Sequence, residues 1–111
     1  MTQTEICRLD EIEDPGAKEF TLNGRECFAV RQGNEVYGYL NLCPHTARYL
    51  NWGPDKFLTR DGSQIMCAGH GAIFAISTGV CVLGPCRGRS LQQIDVRVEN
   101  GAVVAYEGQS R

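Results

Sequence analysis

The most informative segment of the chain reads CAGHGAIF, residues 67–74. A shorter segment upstream, CPH at residues 43–45, likewise places a thiol and an imidazole close together. The spacing of Cys43 and His45 does not suit one face of a helix, and Pro44 and Gly69 favour turns in both segments. The chain has only two histidines, and each stands beside a cysteine in one of these turns. The pattern predicts a four-ligand metal site, and the predicted ligands are Cys43, His45, Cys67 and His70.

Two kinds of metal centre fit such a ligand set. A tetrahedral zinc site takes two cysteines and two histidines, but zinc fingers usually pair like ligands and carry the histidines on a helix. Each turn here mixes one cysteine with one histidine instead. In a Rieske [2Fe–2S] centre one iron binds two cysteines and the other binds two histidines, and two mixed turns facing each other supply that division.

The two turns together resemble the cluster-binding boxes of Rieske [2Fe–2S] proteins. Residues 77–79, followed by Gly84-Pro85, resemble the proline-containing third loop that covers the cluster in this family. The resemblance implies one [2Fe–2S] cluster per chain, bound by the four predicted ligands. It also implies the Rieske fold, in which stacked antiparallel β-sheets carry a small, loop-rich cluster-binding subdomain as an insertion. We expect one domain over residues 1–111, with this subdomain at about 41–91.

The same resemblance bears on the reduction potential. Respiratory Rieske proteins carry an extra cysteine in each box, joined as a disulfide, and a Ser and a Tyr that donate hydrogen bonds to the cluster sulfurs. The matching positions here are Arg48, Gly69, Ala72 and Phe74. The resemblance therefore implies a low-potential protein of the soluble ferredoxin type.

The rest of the sequence predicts short strands and tight turns. Asn23-Gly24, Asp61-Gly62 and Asn100-Gly101 each separate two strand-like runs, and such dipeptides favour two-residue hairpin turns. Residues 94–99 alternate apolar and polar side chains, as a half-buried strand does. Residues 57–66 are expected to form a hairpin with Trp52 packed beneath it. The predicted fold class is all-β.

Four further cysteines need an interpretation. Cys7 and Cys27 lie in strand-like apolar runs, where a buried thiol behaves as a small hydrophobic side chain. Cys81 and Cys86 flank a short loop, and closing so short a loop with a disulfide stabilises by only roughly 2 kcal/mol. We expect free thiols at this pair, with a local disulfide as the alternative.

Charge and composition narrow the range of possible partners. The formal net charge is −2 without a basic cluster, which argues against nucleic acid and anionic membranes. The acidic N-terminal segment has no apolar run, so we expect a cytoplasmic protein. The leading hypothesis is a one-electron carrier between a flavin-dependent reductase and a terminal oxygenase or reductase, not itself an enzyme. The alternatives are a small subunit of an NADH-dependent nitrite reductase and a zinc-stabilised structural module.

Overall fold

The protein is built from β-strands joined by turns and loops. The structure, a computed structural model, describes residues 2–44, 49–69, 71–84 and 86–107. Within these ranges it has a 3₁₀ turn, Leu9–Glu11, and nine strands: β1 (Thr2–Arg8), β2 (Gly16–Leu22), β3 (Arg25–Gln32), β4 (Glu35–Leu40), β5 (Gln64–Met66), β6 (Ile73–Ala75), β7 (Cys81–Leu83), β8 (Gln93–Glu99) and β9 (Ala102–Glu107). The described part of the chain has no helix long and apolar enough to cross a membrane. The predicted all-β fold is confirmed.

Two asparagine–glycine turns set the register of the larger sheet. Asn23 and Gly24 have φ angles of +55° and +80°, and Asn100 and Gly101 have +53° and +77°. Two successive positive φ angles characterise the type I′ turn, whose twist matches that of the flanking strands. The first turn joins β2 to β3 and the second joins β8 to β9, both antiparallel. The hairpins predicted at Asn23-Gly24 and at Asn100-Gly101 are confirmed.

The third predicted hairpin forms only in part. Strand β5 begins at Gln64, but residues 57–60 contribute only one isolated bridge, from Leu58 to Ile65. The Asp61 carboxylate accepts hydrogen bonds from two hydroxyls and one backbone N–H of its neighbours at 2.8–3.1 Å. Such local side-chain bonds compete with the strand ladder, which explains the shortened pairing.

The prediction that Trp52 packs beneath this hairpin is wrong. Its side chain is 54% exposed and lies near the Lys56 ammonium, 5.9 Å from the ring centroid. Phe57 fills the interior instead, stacked on Phe28 with ring centroids 4.1 Å apart. Phe57 is completely buried, so in this segment it is the phenyl ring and not the indole that belongs to the core.

The strands form a six-stranded and a three-stranded sheet. The larger has the order β1-β9-β8-β4-β3-β2, and the smaller has the order β5-β6-β7. Strands β4 and β8 pair through only two residue pairs, Gly38–Ile94 and Tyr39–Gln93. The smaller sheet is an insertion in the chain between these two strands. The middle of the chain, expected to be mostly loops, therefore has a small sheet of its own.

Tyr39 connects the two sheets. Its ring is 1% exposed in β4, and its hydroxyl donates a 2.6 Å hydrogen bond to the carbonyl of Ile76, just after β6. Burial, with a smaller contribution from Tyr37, raises the pKa of Tyr39 from 10.0 to about 12. The hydroxyl therefore stays protonated and keeps donating at neutral pH.

Side chains cover part of the free edge of β2. The backbone N–H of Glu19 donates to the Asp55 carboxylate at 2.8 Å, and the N–H of Asp55 donates to the Glu19 carboxylate at 2.6 Å. The Lys18 ammonium lies 3.9 Å from the same Asp55 carboxylate. The loop that contains Asp55 is thereby attached to the outer side of the sheet.

Cys7 and Cys27 pack as predicted. Both are buried in strands of the larger sheet, β1 and β3 respectively. Burial raises the pKa of both thiols, so they are neutral in the folded protein.

Candidate metal centre

Three loops meet at one region of the structure. We call residues 41–50 the first loop, 67–72 the second loop and 83–89 the third loop. The N–H of Ala68 donates to the carbonyl of Leu50 at 2.9 Å, which joins the second loop to the first. The Arg89 guanidinium donates to the carbonyl of Pro44 at 3.2 Å, which joins the third loop to the first.

The two predicted thiolate ligands lie in this region. Cys43 in the first loop and Cys67 in the second are each 1% exposed and belong to one buried cluster of side chains. The second loop turns tightly after Cys67, because its carbonyl accepts the N–H of Gly71 and its own N–H donates to Ala72. Soft thiolates from two loops in a water-poor region suit an iron–sulfur cluster. His45 and His70 lie outside the described residues, so their roles stay predictions.

Asn41 is a residue of this region that the sequence reasoning missed. Its side chain is only 4% exposed, and its Oδ1 accepts the N–H of Leu50 at 2.8 Å. Its Nδ2 donates to Oδ1 of Asn51 at 3.0 Å. The sequence offers only a weak signal for it, a short polar side chain directly after an apolar strand and two residues before Cys43, and this signal does not reveal its partners.

The third loop packs closely on the second. Gly84 has φ of +107°, and a Cβ at this position would lie 2.9 Å from Cα of Ala72. Only glycine therefore fits this approach without strain. The contact agrees with the expectation that Gly84-Pro85 covers the site, although Pro85 lies outside the described residues, as does Arg48.

Cys81 and Cys86 are thiols in contact. Their Sγ atoms are 2.8 Å apart, with Cys86 as the donor, and both side chains are buried. Burial, then the hydrogen bond with Cys81, then the charges of Cys81 and Cys43, raises the pKa of Cys86 to about 12. The structure therefore has the free thiols that were expected rather than the disulfide.

Apolar side chains border the three loops at the surface. Leu42 and Tyr49 belong to the two described parts of the first loop. Val82 and Leu83 lie at the end of β7, where the third loop begins. These four side chains, the exposed rim, are between 41% and 61% exposed. Large apolar groups grouped around a functional region commonly mark a contact surface for another protein.

Known proteins resemble this chain over nearly its full length. The model of the Rieske [2Fe-2S] domain matches residues 2–107. The ferredoxin component of the naphthalene 1,2-dioxygenase/salicylate 5-hydroxylase systems of Ralstonia sp is 29% identical over 96 residues, 86% of either chain. Ferredoxin CarAc of Metapseudomonas resinovorans is 28% identical over 99 residues, which cover 88% of this chain and 87% of CarAc.

A solved structure gives the same result for the fold. The ferredoxin of carbazole 1,9a-dioxygenase from Nocardioides aromaticivorans IC177 superposes with a TM-score of 0.79 at 28% identity, covering 95% of this chain and 97% of that one. The strand architecture, the two buried thiols and the family match thus agree. The chain belongs to the Rieske [2Fe–2S] domain family and carries a [2Fe–2S] cluster.

Proposed function

We propose that this chain is a one-electron carrier that takes electrons from a flavin-dependent reductase and delivers them to a terminal oxygenase. The observation that carries the proposal is the burial of Cys43 and Cys67 together where three loops meet, beside an exposed apolar rim. Two of the similar ferredoxins named above, from Ralstonia sp and from Nocardioides aromaticivorans IC177, belong to dioxygenase systems, which favours an oxygenase as acceptor. When bound, the cluster would accept and donate one electron reversibly. The protein's part is to hold the cluster and to present it to partners.

The proposed ligand set divides the four side chains between two irons. Cys43 and Cys67 would bind one iron, and His45 and His70 would bind the other, as in Rieske centres generally. With every protein ligand position filled, no coordination site is left for a substrate. We therefore assign catalysis to the partner enzyme and not to this chain.

We further propose a single domain over residues 1–111, with a cluster-binding subdomain at about 41–91. The β5-β6-β7 sheet supports this division, because it lies between β4 and β8 in the chain and carries the second loop. We also propose a cytoplasmic location. The neighbouring thiols of Cys81 and Cys86 suit a compartment in which glutathione and thioredoxin keep cysteines reduced.

The exposed rim is the proposed docking surface for both partners. Leu42 and Leu83 are 41% and 60% exposed, and Arg87 and Arg89 on the third loop are exposed as well. Redox encounters are transient and bury a small area, below roughly 1,200 Å². A few apolar contacts surrounded by cationic groups are sufficient for such an encounter and select an acidic partner surface.

The first experiment tests the cluster and its ligands. Purified protein is expected to contain two iron and two acid-labile sulfide per chain, and Cys43→Ser and Cys67→Ser are each expected to lose both. Cys27→Ser is the matched control, because Cys27 is equally buried but lies in a different core cluster. Stoichiometric zinc without sulfide in the wild-type protein would contradict the proposal.

The second experiment tests electron transfer and docking. Stopped-flow absorbance follows reduction by NADH through a dioxygenase-system flavin reductase, and then reoxidation by the oxygenase. Leu83→Asp is expected to lower both second-order rates at least fivefold with the cluster intact. Asn34→Asp adds the same charge to the β3–β4 turn, at the opposite end of β4 from the first loop, and should leave both rates unchanged. Equal rates for Leu83→Asp and wild type would exclude the rim as the docking surface.

A further inference from the structure

Apart from tyrosine and cysteine, Asn41 is the one residue with a polar or charged side chain that is buried among the described residues, at 4% exposed. Its backbone N–H donates to the carbonyl of Glu26 in β3 at 2.9 Å, which fixes it to the larger sheet. Its side-chain oxygen accepts the N–H of Leu50, a residue that is itself completely buried. A buried N–H without an acceptor is costly, so this bond strongly restrains the far end of the first loop.

The same peptide chain continues the connection to the second loop. The carbonyl of Leu50 accepts the N–H of Ala68, the residue that follows Cys67. We call the Asn41 side chain, Leu50 and the Ala68 N–H the Asn41 bridge. It starts two residues before Cys43 and ends one residue after Cys67, so it runs from one proposed thiolate ligand to the other.

We infer that the Asn41 bridge sets the spacing between the two loops that carry the thiolate ligands, and that Asn41 is a positioning residue for the cluster. The inference rests on the proposed ligand set. A loop held at both ends samples fewer conformations, and ligands held in place bind metal more tightly and release it more slowly. Loss of the bridge should leave a folded protein whose cluster has altered geometry and a shorter lifetime.

The test compares Asn41→Ala with two controls. Asn51→Ala removes the partner of Nδ2 but keeps the acceptor of the Leu50 N–H. Val103→Ala weakens a core cluster that does not include the cysteines of the loops. Each purified protein is examined for the rate of iron release to a chelator, the g-values of the reduced cluster in electron paramagnetic resonance, and the reduction potential.

Asn41→Ala is expected to release iron at least tenfold faster than Val103→Ala, under conditions in which both are equally folded. Its g-values and potential should differ from wild type, whereas both controls should match wild type in these readouts. Asn41→Ala indistinguishable from Val103→Ala in all three readouts would overturn the inference.

If Asn41→Ala does not fold, hydrogen exchange in the wild-type protein tests the inference instead. In the wild-type protein the amides of Leu50 and Ala68 should exchange as slowly as those of β3, because both are donors in the bridge. Exchange as fast as in exposed loops would overturn the inference. A wild-type protein without iron and sulfide would instead refute the proposed ligand set, so the two failures are distinguishable.

Discussion

Replacing Tyr39 by phenylalanine removes one hydroxyl and keeps the ring. The lost group is the donor of the 2.6 Å hydrogen bond to Ile76, whose side chain is 4% exposed. A buried carbonyl that loses its donor costs about 1–3 kcal/mol. Because this bond joins β4 to the smaller sheet, Tyr39→Phe should lower the free energy of unfolding by that amount at pH 7.5.

The pH dependence of the free energy of unfolding gives a second, independent measure of what Tyr39 contributes. Burial raises the pKa of Tyr39 from 10.0 to about 12, so between these values the unfolded chain loses the proton and the folded protein keeps it. The stabilisation from this difference is complete below pH 10 and is lost as the pH rises towards 12. A rise of that size corresponds to roughly 3 kcal/mol. Phenylalanine cannot ionise, so the variant lacks this loss.

The assay is urea unfolding of the cluster-loaded protein, followed by far-ultraviolet circular dichroism at pH 7.5 and at steps from 9.5 to 11.5. The difference between wild type and Tyr39→Phe should be about 1–3 kcal/mol at pH 7.5 and should shrink steadily above pH 10. Tyr49→Phe is the control, because Tyr49 is 61% exposed and its hydroxyl bonds to none of the described residues. A Tyr39→Phe difference that stays constant up to pH 11.5 would refute the reasoning.

Three further predictions concern the loops around the cluster. Gly84→Ala should lower thermal stability more than Gly88→Ala, by about 1–3 kcal/mol, because both have positive φ but only Gly84 approaches Ala72; equal melting curves would contradict this. Ala72→Ser combined with Phe74→Tyr should raise the reduction potential, measured by voltammetry, by roughly 100 mV if both hydroxyls donate to sulfur, at about 45–65 mV for each hydroxyl. An unchanged potential with ordered hydroxyls would count against this prediction. The Cys86 thiol, buried and with its pKa raised to about 12, should resist alkylation at pH 8 in the folded protein, and rapid labelling seen by mass spectrometry would show that the third loop opens.

Local signals predicted the hairpins of the larger sheet correctly. The asparagine–glycine pairs at 23–24 and 100–101 specify their own backbone conformation, so no distant residue is needed to read them. The Asp61-Gly62 signal was less informative, because the Asp61 side chain bonds to its neighbours in competition with the ladder. The exposure of Trp52 was not predictable, because the residue that is buried in this part of the chain, Phe57, stacks on Phe28, and that contact joins distant parts of the chain.

The candidate site, like the fold, was accessible from the sequence only in part. Composition and spacing pointed to Cys43 and Cys67 as ligands, since a mixed thiol and imidazole turn occurs twice and nowhere else in the chain, and the ligand set stays a prediction. The structure adds that both thiols enter one buried cluster. The role of Asn41 was not predictable, because its partner Leu50 and the onward contact to Ala68 depend on how the loops fold over each other.

The side chains at the edge of β2 have a consequence for self-association. An uncovered outer strand presents a row of backbone donors and acceptors to which a strand of a second molecule can add, the first step towards aggregates. Here the N–H of Glu19, in the middle of that row, is already bound by Asp55, and Lys18 adds a charge beside it. A protein that works by brief collisions must tolerate high concentration without sticking to copies of itself. Asp55→Ala should therefore show its effect first as turbidity in concentrated samples, before any change in colour or potential.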